Sequence, residues 1–454
     1  MTPVATPDIG IPLRQPRAAS VSDPDALLPT GWTRSLRQVV TLACALTVIL
    51  GYSQAWVAPA VGYTLNDAAS PIIRYGFFPT YGASVLLFAL GDRAALKALW
   101  RNKLLIVLLL IAFVSTLWSI DPPATLRRAL ALTFTSLAGV ALTAIWRTRP
   151  LTLMIACAFV LVTIGSFLAG ALAPALGRMT ELFPGAWRGL WIEKNALASQ
   201  ESMAAMIFIA TAVYYPRMRI IWLGMAGLAL LLVLLSQSKT GLLCAVAGIY
   251  GLMFCGAFRR SPLTATLVTW GSVAGVVMGA AVLMASPELL FKLLGKDATL
   301  TGRTAIWAAA GRQLAKHPWT GFGYGVLWDH ATGWYPGAWI AKDARFTAGH
   351  AHNGWLETWL GLGLWGLIAW NLYFVQVLFR SAASLVRGDA CYLVIPYLII
   401  ITFRSLTEVS ILNHDDFQWV MFVIIACVAG RREGEQAMPS RPAPSRPAWS
   451  SARP

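Results

Sequence analysis

Residues 349–366 read GHAHNGWLETWLGLGLWG. Two histidines, an asparagine and a glutamate (His350, His352, Asn353, Glu357) crowd the start, and apolar residues with glycines fill the rest. The apolar run continues to residue 379, long enough to cross a bilayer, which takes about 20 residues. Polar and ionisable groups at membrane depth are costly and tend to mark function. Four such side chains at the mouth of one apolar helix therefore need a reason.

The rest of the chain repeats the apolar theme. Of 454 residues, 57% are hydrophobic and 12% charged, against about 25% charged in a soluble domain. Backbone groups in lipid find partners only within a helix or a closed barrel, and runs of this length are helical. The sequence predicts an all-α polytopic membrane protein of twelve spans. They fall at 38–56, 74–91, 103–119, 127–146, 151–173, 197–214, 219–236, 239–257, 263–285, 353–379, 390–411 and 416–430. Nine spans thus occupy 38–285 and three occupy 353–430, separated by a long loop at 286–352. Residues 1–33 and 433–454 are rich in Pro, Ser and Ala, so the tails 1–37 and 431–454 are expected to be disordered. No internal repeat and no signal peptide is evident.

The formal charge is +16. With the N-terminus in the cytoplasm, 21 of the 36 basic residues fall on the cytoplasmic side, and every loop there carries at least two. That bias sets both termini in the cytoplasm and the long loop outside, in the periplasm. No basic groove with interleaved aromatics suggests nucleic acid. The six cysteines all lie within apolar spans, placed for packing rather than for disulfides or metal.

All five histidines (His317, His330, His350, His352, His414) map to the outer side. Loops as long as 286–352 usually have a role. Its segment TGRTAIWAAAGRQLAKH is expected to be helical, capped by Thr301, with Ile306, Ala310 and Leu314 on one stripe. HPWTGFGYG then ends it with Pro318 and three glycines. Five tryptophans, Trp307 among them, stand in this loop as interfacial anchors or as flat faces for sugar rings. In the outer loop 174–196, Arg188 sits between Trp187 and Trp191, and Lys194 precedes the sixth span. Arg404 also lies at an outer helix end. Cations on the face that the charge bias disfavours suggest a bound polyanion, and the arginine fork suits phosphate oxygens. The alternative is snorkelling to lipid phosphates. No nucleotide-binding P-loop, no D-x-D pair on the outer face, no H-E-x-x-H and no G-x-S-x-G is present. A transfer outside the cytoplasm without ATP needs a pre-activated donor, and a lipid-linked diphosphate sugar is one.

These residues resemble the signature of the O-antigen ligase and O-antigen polymerase superfamily of bacterial membrane glycosyltransferases. The pattern comprises Gly302 and Arg303, then His317, Pro318, Gly321 and Gly323, then His352, Asn353, Leu356 and Glu357, then the glycine-leucine run 363–366. The stretches WSIDPPATLRRAL, GAWRGLWIEKNALA and SQSKTGLL further resemble the exopolysaccharide repeat-unit polymerases. The resemblance implies a metal-independent, inverting, cofactor-free transfer at the periplasmic face of the bacterial inner membrane. The donor it implies is an oligosaccharide on undecaprenyl diphosphate, and the acceptor is another glycan or lipid A core. Further polysaccharide export proteins are candidate partners. Carried over by motif, His352 matches the base, His350 the variable first histidine of H-x-H-N, and Arg303 and Arg188 the diphosphate arginines; Arg404 and Lys194 are added from position. Asn353, Glu357 and Trp307 are expected to support them. A histidine at a helix N-terminus feels the positive end of the dipole, which favours a neutral imidazole. Glu357, one turn into the helix, is expected to orient the loop rather than pair with the imidazole. A transporter of the same lipid-linked glycan is the remaining reading from another class; it calls for broken helices in pairs and charges near mid-span.

Overall fold

The computed structural model describes residues 31–63, 69–180, 183–285, 303–328, 335–345, 349–387 and 390–431. Two compact units are distinguished, residues 1–43 and the main body 44–454. Of the first, only the start of the helix Gly31–Tyr52 is described. Among the described residues there is no strand ladder, only one isolated antiparallel bridge between Arg178 and Trp187.

Seven helices position the site: α1 (Pro122–Ile145), α2 (Lys194–Tyr214), α3 (Lys239–Phe258), α4 (Arg303–Leu314), α5 (Gly354–Arg387), α6 (Cys391–Ser405) and α7 (Phe417–Ala429). Local chemistry sets their starts. Asp121 accepts from the Ala124 amide at 3.1 Å ahead of two prolines that open α1. Ser238 caps α3 through the Gly241 amide, and Asp416 caps α7 through the Gln418 amide. All thirteen residues of α7 are buried, with α1, α5 and α6 packed around it. On the other side, α2 packs on α3 and α3 on α6. Small residues let these backbones approach closely. A Cβ at Gly139 of α1 would stand 2.9 Å from the Val420 carbonyl of α7, and one at Gly251 of α3 would stand 2.7 Å from Pro396 of α6. Outward faces carry exposed Ile220, Met253, Leu267, Trp270 and Val276, the apolar belt that lipid covers.

Eight described helices are long and apolar enough to cross a membrane, and a ninth forms if Asp92–Arg101 and Lys103–Trp118, bent by 82° at Asn102, count as one span. Three shorter apolar helices, Leu36–Tyr52, Cys391–Ser405 and Phe417–Ala429, complete the set. Reaching twelve crossings requires each of them to cross as well. The expected span 390–411 is shortened: α6 stops at Ser405. There the Arg404 carbonyl accepts from both the Thr407 and the Glu408 amides, and the chain turns. Glu408 thereby leaves the helix and reaches partners of its own. The loop helix α4 forms as expected, with Ile306, Ala310 and Leu314 buried. Thr301, Gly302 and His330 lie outside the described residues, as do most of the residues expected to be disordered in the two tails.

Candidate active site

The two glycine-rich motifs explain each other. Helix α5 breaks at Gly363, whose φ is 67° and ψ −169°, a conformation that L side chains avoid. The break frees carbonyls that a continuous helix would occupy. Phe322 and Gly323 donate their amides to the carbonyls of Leu360 and Gly361 at 2.9 and 3.0 Å, and Leu364 donates to the Pro318 carbonyl at 2.9 Å. The H-P-x-x-G-x-G segment is thus wedged into the break. Its other edge is held by the Ile120 amide on the Phe322 carbonyl and by the Trp118 indole on the Thr320 carbonyl. A Cβ at Gly363 would lie 2.1 Å from the Trp319 carbonyl, so only glycine fits. This seat fixes the C-terminal end of α4 against α5.

At the mouth of α5, two chemistry-bearing side chains meet on one carboxylate. Nδ1 of His352 lies 3.2 Å from Oε2 of Glu408, and Nη2 of Arg303 donates to Oε1 at 3.3 Å. The carboxylate side chain is 13% exposed. Burial pushes the Glu408 carboxyl up, but the His352 hydrogen bond and the charges of His352, His350 and Arg303 outweigh it and hold it below the usual carboxylate range. An ionised Glu408 only accepts, so His352 Nδ1 carries a proton, and it is in the neutral form of the ring that Nε2 is the acceptor. His350 stacks beside it, ring centroids 3.9 Å apart. Its Nδ1 accepts from the His352 amide at 3.2 Å. Burial, followed by the charge of His352, lowers the His350 pKa to about 4, against the pull of Glu408. His350 is therefore neutral at pH 7.

Several contacts brace this corner. Trp307 of α4 donates to the Ala351 carbonyl at 2.8 Å. Glu357 accepts from the Ala351 amide at 2.9 Å and from the Trp328 indole at 2.8 Å, and makes no hydrogen bond to the imidazole. Asn353, not His352, caps α5, accepting from the Trp355 and Leu356 amides. His352 precedes the cap with φ at 49°, a left-handed backbone that costs energy in a non-glycine residue. In this conformation its imidazole lies against Glu408.

Beside the corner opens a cavity of about 390 Å³, whose wall includes His350, Glu408, Arg404, Gln200, Trp191 and Trp328. Nε and Nη1 of Arg404 are buried there without a protein partner, and so is Oε1 of Gln200. Unmet guanidinium donors suit an anion, and an unmet amide oxygen suits a hydroxyl. The far wall carries His414, within 3.4 Å of the Tyr324 hydroxyl. Burial and the Arg128 charge lower the His414 pKa to about 3. Asp415, next in the chain, is pushed up to about 7 by burial, although the Tyr81 hydroxyl donates to it at 2.8 Å.

Of the residues singled out in the sequence, Arg303, His350, His352, Asn353, Glu357 and Trp307 come together, with Arg404 on the adjoining wall. Arg188 and Lys194 do not join them. Arg188 donates to the Leu176 carbonyl at 2.8 Å and lies over the Tyr63 ring, while Lys194 stands over Phe183 at 3.5 Å. Their loop reaches the cavity through Trp191, Glu193 and Asn195 instead. His317 sits on the surface, edge-on to Phe322. Glu408 is the residue that sequence reasoning missed. An ionisable group inside the apolar run 390–411, one turn from Arg404, is the signal that marks it.

His350, His352 and Glu408 bring one donor atom each within 4.8 Å of one another. Two imidazoles and a carboxylate are a donor set that zinc accepts. Arg303 already holds the second oxygen of Glu408, and both Arg303 and Arg404 act on His350. A dication there would face two guanidinium charges, and the repulsion opposes it.

Residues 204–371 match the family model described as O-Antigen ligase. That stretch contains Arg303, His350, His352 and Glu357 but stops short of Arg404 and Glu408. The chain is also 29% identical over 212 residues to the exopolysaccharide production protein ExoQ of Rhizobium meliloti (strain 1021), covering 44% of this chain and 48% of that protein. It therefore spans about half the length of the curated relative it matches. The resemblance to the O-antigen ligase and polymerase superfamily holds on both comparisons.

Proposed function

We propose that this O-antigen ligase-type membrane protein joins glycan repeat units by transferring a glycan from a polyprenyl diphosphate carrier, undecaprenyl diphosphate in bacteria, to an acceptor hydroxyl at the outer face of the inner membrane. Its orientation follows the basic-residue bias, with both termini in the cytoplasm. The observation that carries the reading is the single carboxylate shared by His352 and Arg303, set beside the unpartnered guanidinium of Arg404.

The chemistry runs as one displacement. His352 Nε2 takes the proton from the acceptor hydroxyl, whose oxygen attacks the anomeric carbon. The bond from that carbon to the diphosphate oxygen breaks, with inversion, and the electron pair leaves on the carrier. Proton transfer by a placed base contributes about 10²–10⁴-fold. Arg303 and Arg404 meet the charge that grows on the departing diphosphate, in a site already partly dry, which is usually the larger contribution. Arg303 spends one of its five N–H donors on Glu408, leaving others for the phosphate oxygens. His350, kept neutral, adds no positive charge beside the base. The similarity to an exopolysaccharide production protein favours a growing glycan over lipid A core as acceptor.

The test is reconstitution in liposomes with purified lipid-linked repeat units, with and without lipid A core and with and without EDTA. Wild type is expected to build a polymer ladder in the chelator's presence, and His352→Ala to give none while inserting normally. A normal ladder from His352→Ala removes its role as base, loss of activity in EDTA restores a metal to the site, and transfer to lipid A core alone makes the protein a ligase.

A further inference from the structure

The far wall of the cavity includes a turn, residues 412–416, whose shape is fixed from several sides. Leu412 and Asp415 hold left-handed backbones, with φ of 49° and 61°. The Asp415 carbonyl accepts from the Gln54 side chain at 2.8 Å, its amide donates to the Thr135 hydroxyl at 3.1 Å, and its carboxylate accepts from the Tyr81 hydroxyl at 2.8 Å. Asp416 in turn accepts from the Gln418 amide at 2.9 Å and from the Asn413 side chain at 3.0 Å. Groups that lean on this turn are therefore in place before a ligand arrives, which spares the cost of ordering them on binding.

Two acceptors on this side are left over. Gln200 of α2 lines the cavity and is 5% exposed. Its amide nitrogen donates to Asp416 Oδ1 at 3.4 Å, the same oxygen that accepts from the Gln418 amide. That contact sets the orientation of the Gln200 amide, and its Oε1 is buried without a protein partner. Neighbouring amides are already spent. Gln418 donates to the Ser199 carbonyl at 3.3 Å and accepts from the Tyr397 hydroxyl at 3.0 Å, and Asn195 accepts from Ser238 at 2.9 Å. His414, inside the turn, lines the same cavity. The Tyr324 hydroxyl, 3.4 Å from its Nδ1, gives its one proton to the Leu412 carbonyl at 2.5 Å. Toward the imidazole that hydroxyl only accepts, so Nδ1 carries the proton of the neutral ring. Nε2 is then an acceptor, and it makes no hydrogen bond among the described residues.

Hydrogen-bond sense decides which part of a ligand belongs here. Ionised phosphate oxygens bring only lone pairs, so Oε1 and Nε2 turn them away. Sugar hydroxyls each bring an O–H, and a buried acceptor built to receive one rejects a ligand that lacks it. Arg404, with two unmet donor nitrogens, selects the opposite way. Arg128, which also lines the cavity, donates to the Gly325 carbonyl. We infer that Gln200 and His414 form a saccharide subsite that reads ring hydroxyls and keeps the carrier diphosphate on the Arg404 side. The inference rests on the glycan transfer proposed above and names what is read within that glycan. At about 390 Å³ the cavity falls in the range of small-ligand sites, roughly 300–1,000 Å³. Donor and acceptor sugars offer the same hydroxyl chemistry, and the experiment separates them.

Binding is measured to the full chain in lipid nanodiscs with two probes. One is the repeat-unit oligosaccharide of the source bacterium on an octyl chain, which has sugar and no diphosphate. The other is undecaprenyl diphosphate, which has diphosphate and no sugar. Q200M keeps the length of the side chain and removes its oxygen. It should weaken the octyl glycoside roughly 2–10-fold, the worth of one neutral hydrogen bond, and leave undecaprenyl diphosphate as in wild type. H414F, which keeps a ring against Tyr324, should do the same and stands in if Q200M does not insert. R404Q should do the reverse. In the transfer assay the octyl glycoside serves only as acceptor. A rise in its KM assigns the subsite to the acceptor sugar, and a rise in the KM of the lipid-linked donor alone assigns it to the donor sugar. Wild-type affinity for the octyl glycoside in both Q200M and H414F would overturn the subsite, as would equal weakening of both probes. Binding needs no turnover, so a wild type that holds the octyl glycoside through Gln200 yet joins no repeat units would overturn the transfer reaction and leave the subsite standing.

Discussion

Glu408→Gln isolates what the shared carboxylate does. The carboxylate receives two charge-assisted contacts, from His352 at 3.2 Å and Arg303 at 3.3 Å, with 13% of its side chain exposed. Glutamine is nearly isosteric but offers one acceptor oxygen to two donors. One contact is lost, and its amide N–H₂ then faces a cation or the wrong tautomer of the imidazole. A hydrogen bond to a charged group is worth about 1.5–3 kcal/mol. Both contacts are longer than the usual 2.7–2.9 Å for such pairs, which points to the lower part of that range, about 1.5–2 kcal/mol. At about 1.4 kcal/mol per decade, kcat/KM should fall roughly 10–30-fold. The assay is the initial rate of polymer formation in liposomes. Because Glu408 acts through His352, the substitution should add little in a His352→Ala background, where residual turnover no longer uses the imidazole. The pH profile supplies a further readout. The folded Glu408 pKa is lowered, so its contribution is present above the ordinary carboxylate pKa and is lost as pH falls through the lowered value. Glu408→Gln should lack that acid limb. Unchanged kcat/KM, or a loss that multiplies in full with His352→Ala, refutes the positioning role.

Arg303→Lys keeps a charge near Glu408 but replaces the planar fork with a point charge. Polymerisation in the same assay should fall at least tenfold with the protein's abundance unchanged, and near-normal activity would reduce Arg303 to a structural ion pair. His350 gives a prediction for stability. Its folded pKa is lowered from 6.5 to about 4, so the unfolded chain binds more protons between those values and stability rises with pH across that window. The unfolding midpoint of wild type should therefore drop on acidification from pH 6.5 toward 4, and His350→Gln should flatten the drop. His414, lowered to about 3, works in the same direction, whereas Asp415, raised to about 7, works against it. A His350→Gln slope equal to that of wild type would remove the assignment.

The helical class is legible in the sequence because it rests on a strong local signal, whereas the meeting of Arg303 and His352 on one carboxylate is not, since only the motif resemblance places them in a common site. Apolar runs of span length declare helices, and the H-N-x-x-L-E entry to α5 declares a junction. The fit of 317–323 into the break at Gly363 is not legible, because two glycine-rich strings do not reveal that one opens to receive the other. Glu408 is hidden for a related reason. The run 390–411 reads as one span by hydropathy, and only three-dimensional pairing explains why the helix ends early. Arg188 shows the converse. A guanidinium between two tryptophans looks aimed at a ligand, yet its own loop carbonyls and Tyr63 use it first. Short-range carbonyl contacts of that sort leave no mark in residue spacing.

The order in which the corner is synthesised matters to the cell. Glu408 follows His352 by 56 residues and Arg303 by 105. At about 5–20 residues per second, the imidazole emerges from the ribosome roughly 3–11 s ahead of the group that orients it. Through that interval the nascent chain carries Arg303 and His352 but neither Arg404 nor the carboxylate that Arg303 and His352 share in the folded protein. Premature termination before codon 408 leaves the same state behind permanently. Truncated copies should thus be inert bystanders rather than uncontrolled initiators of polymer growth.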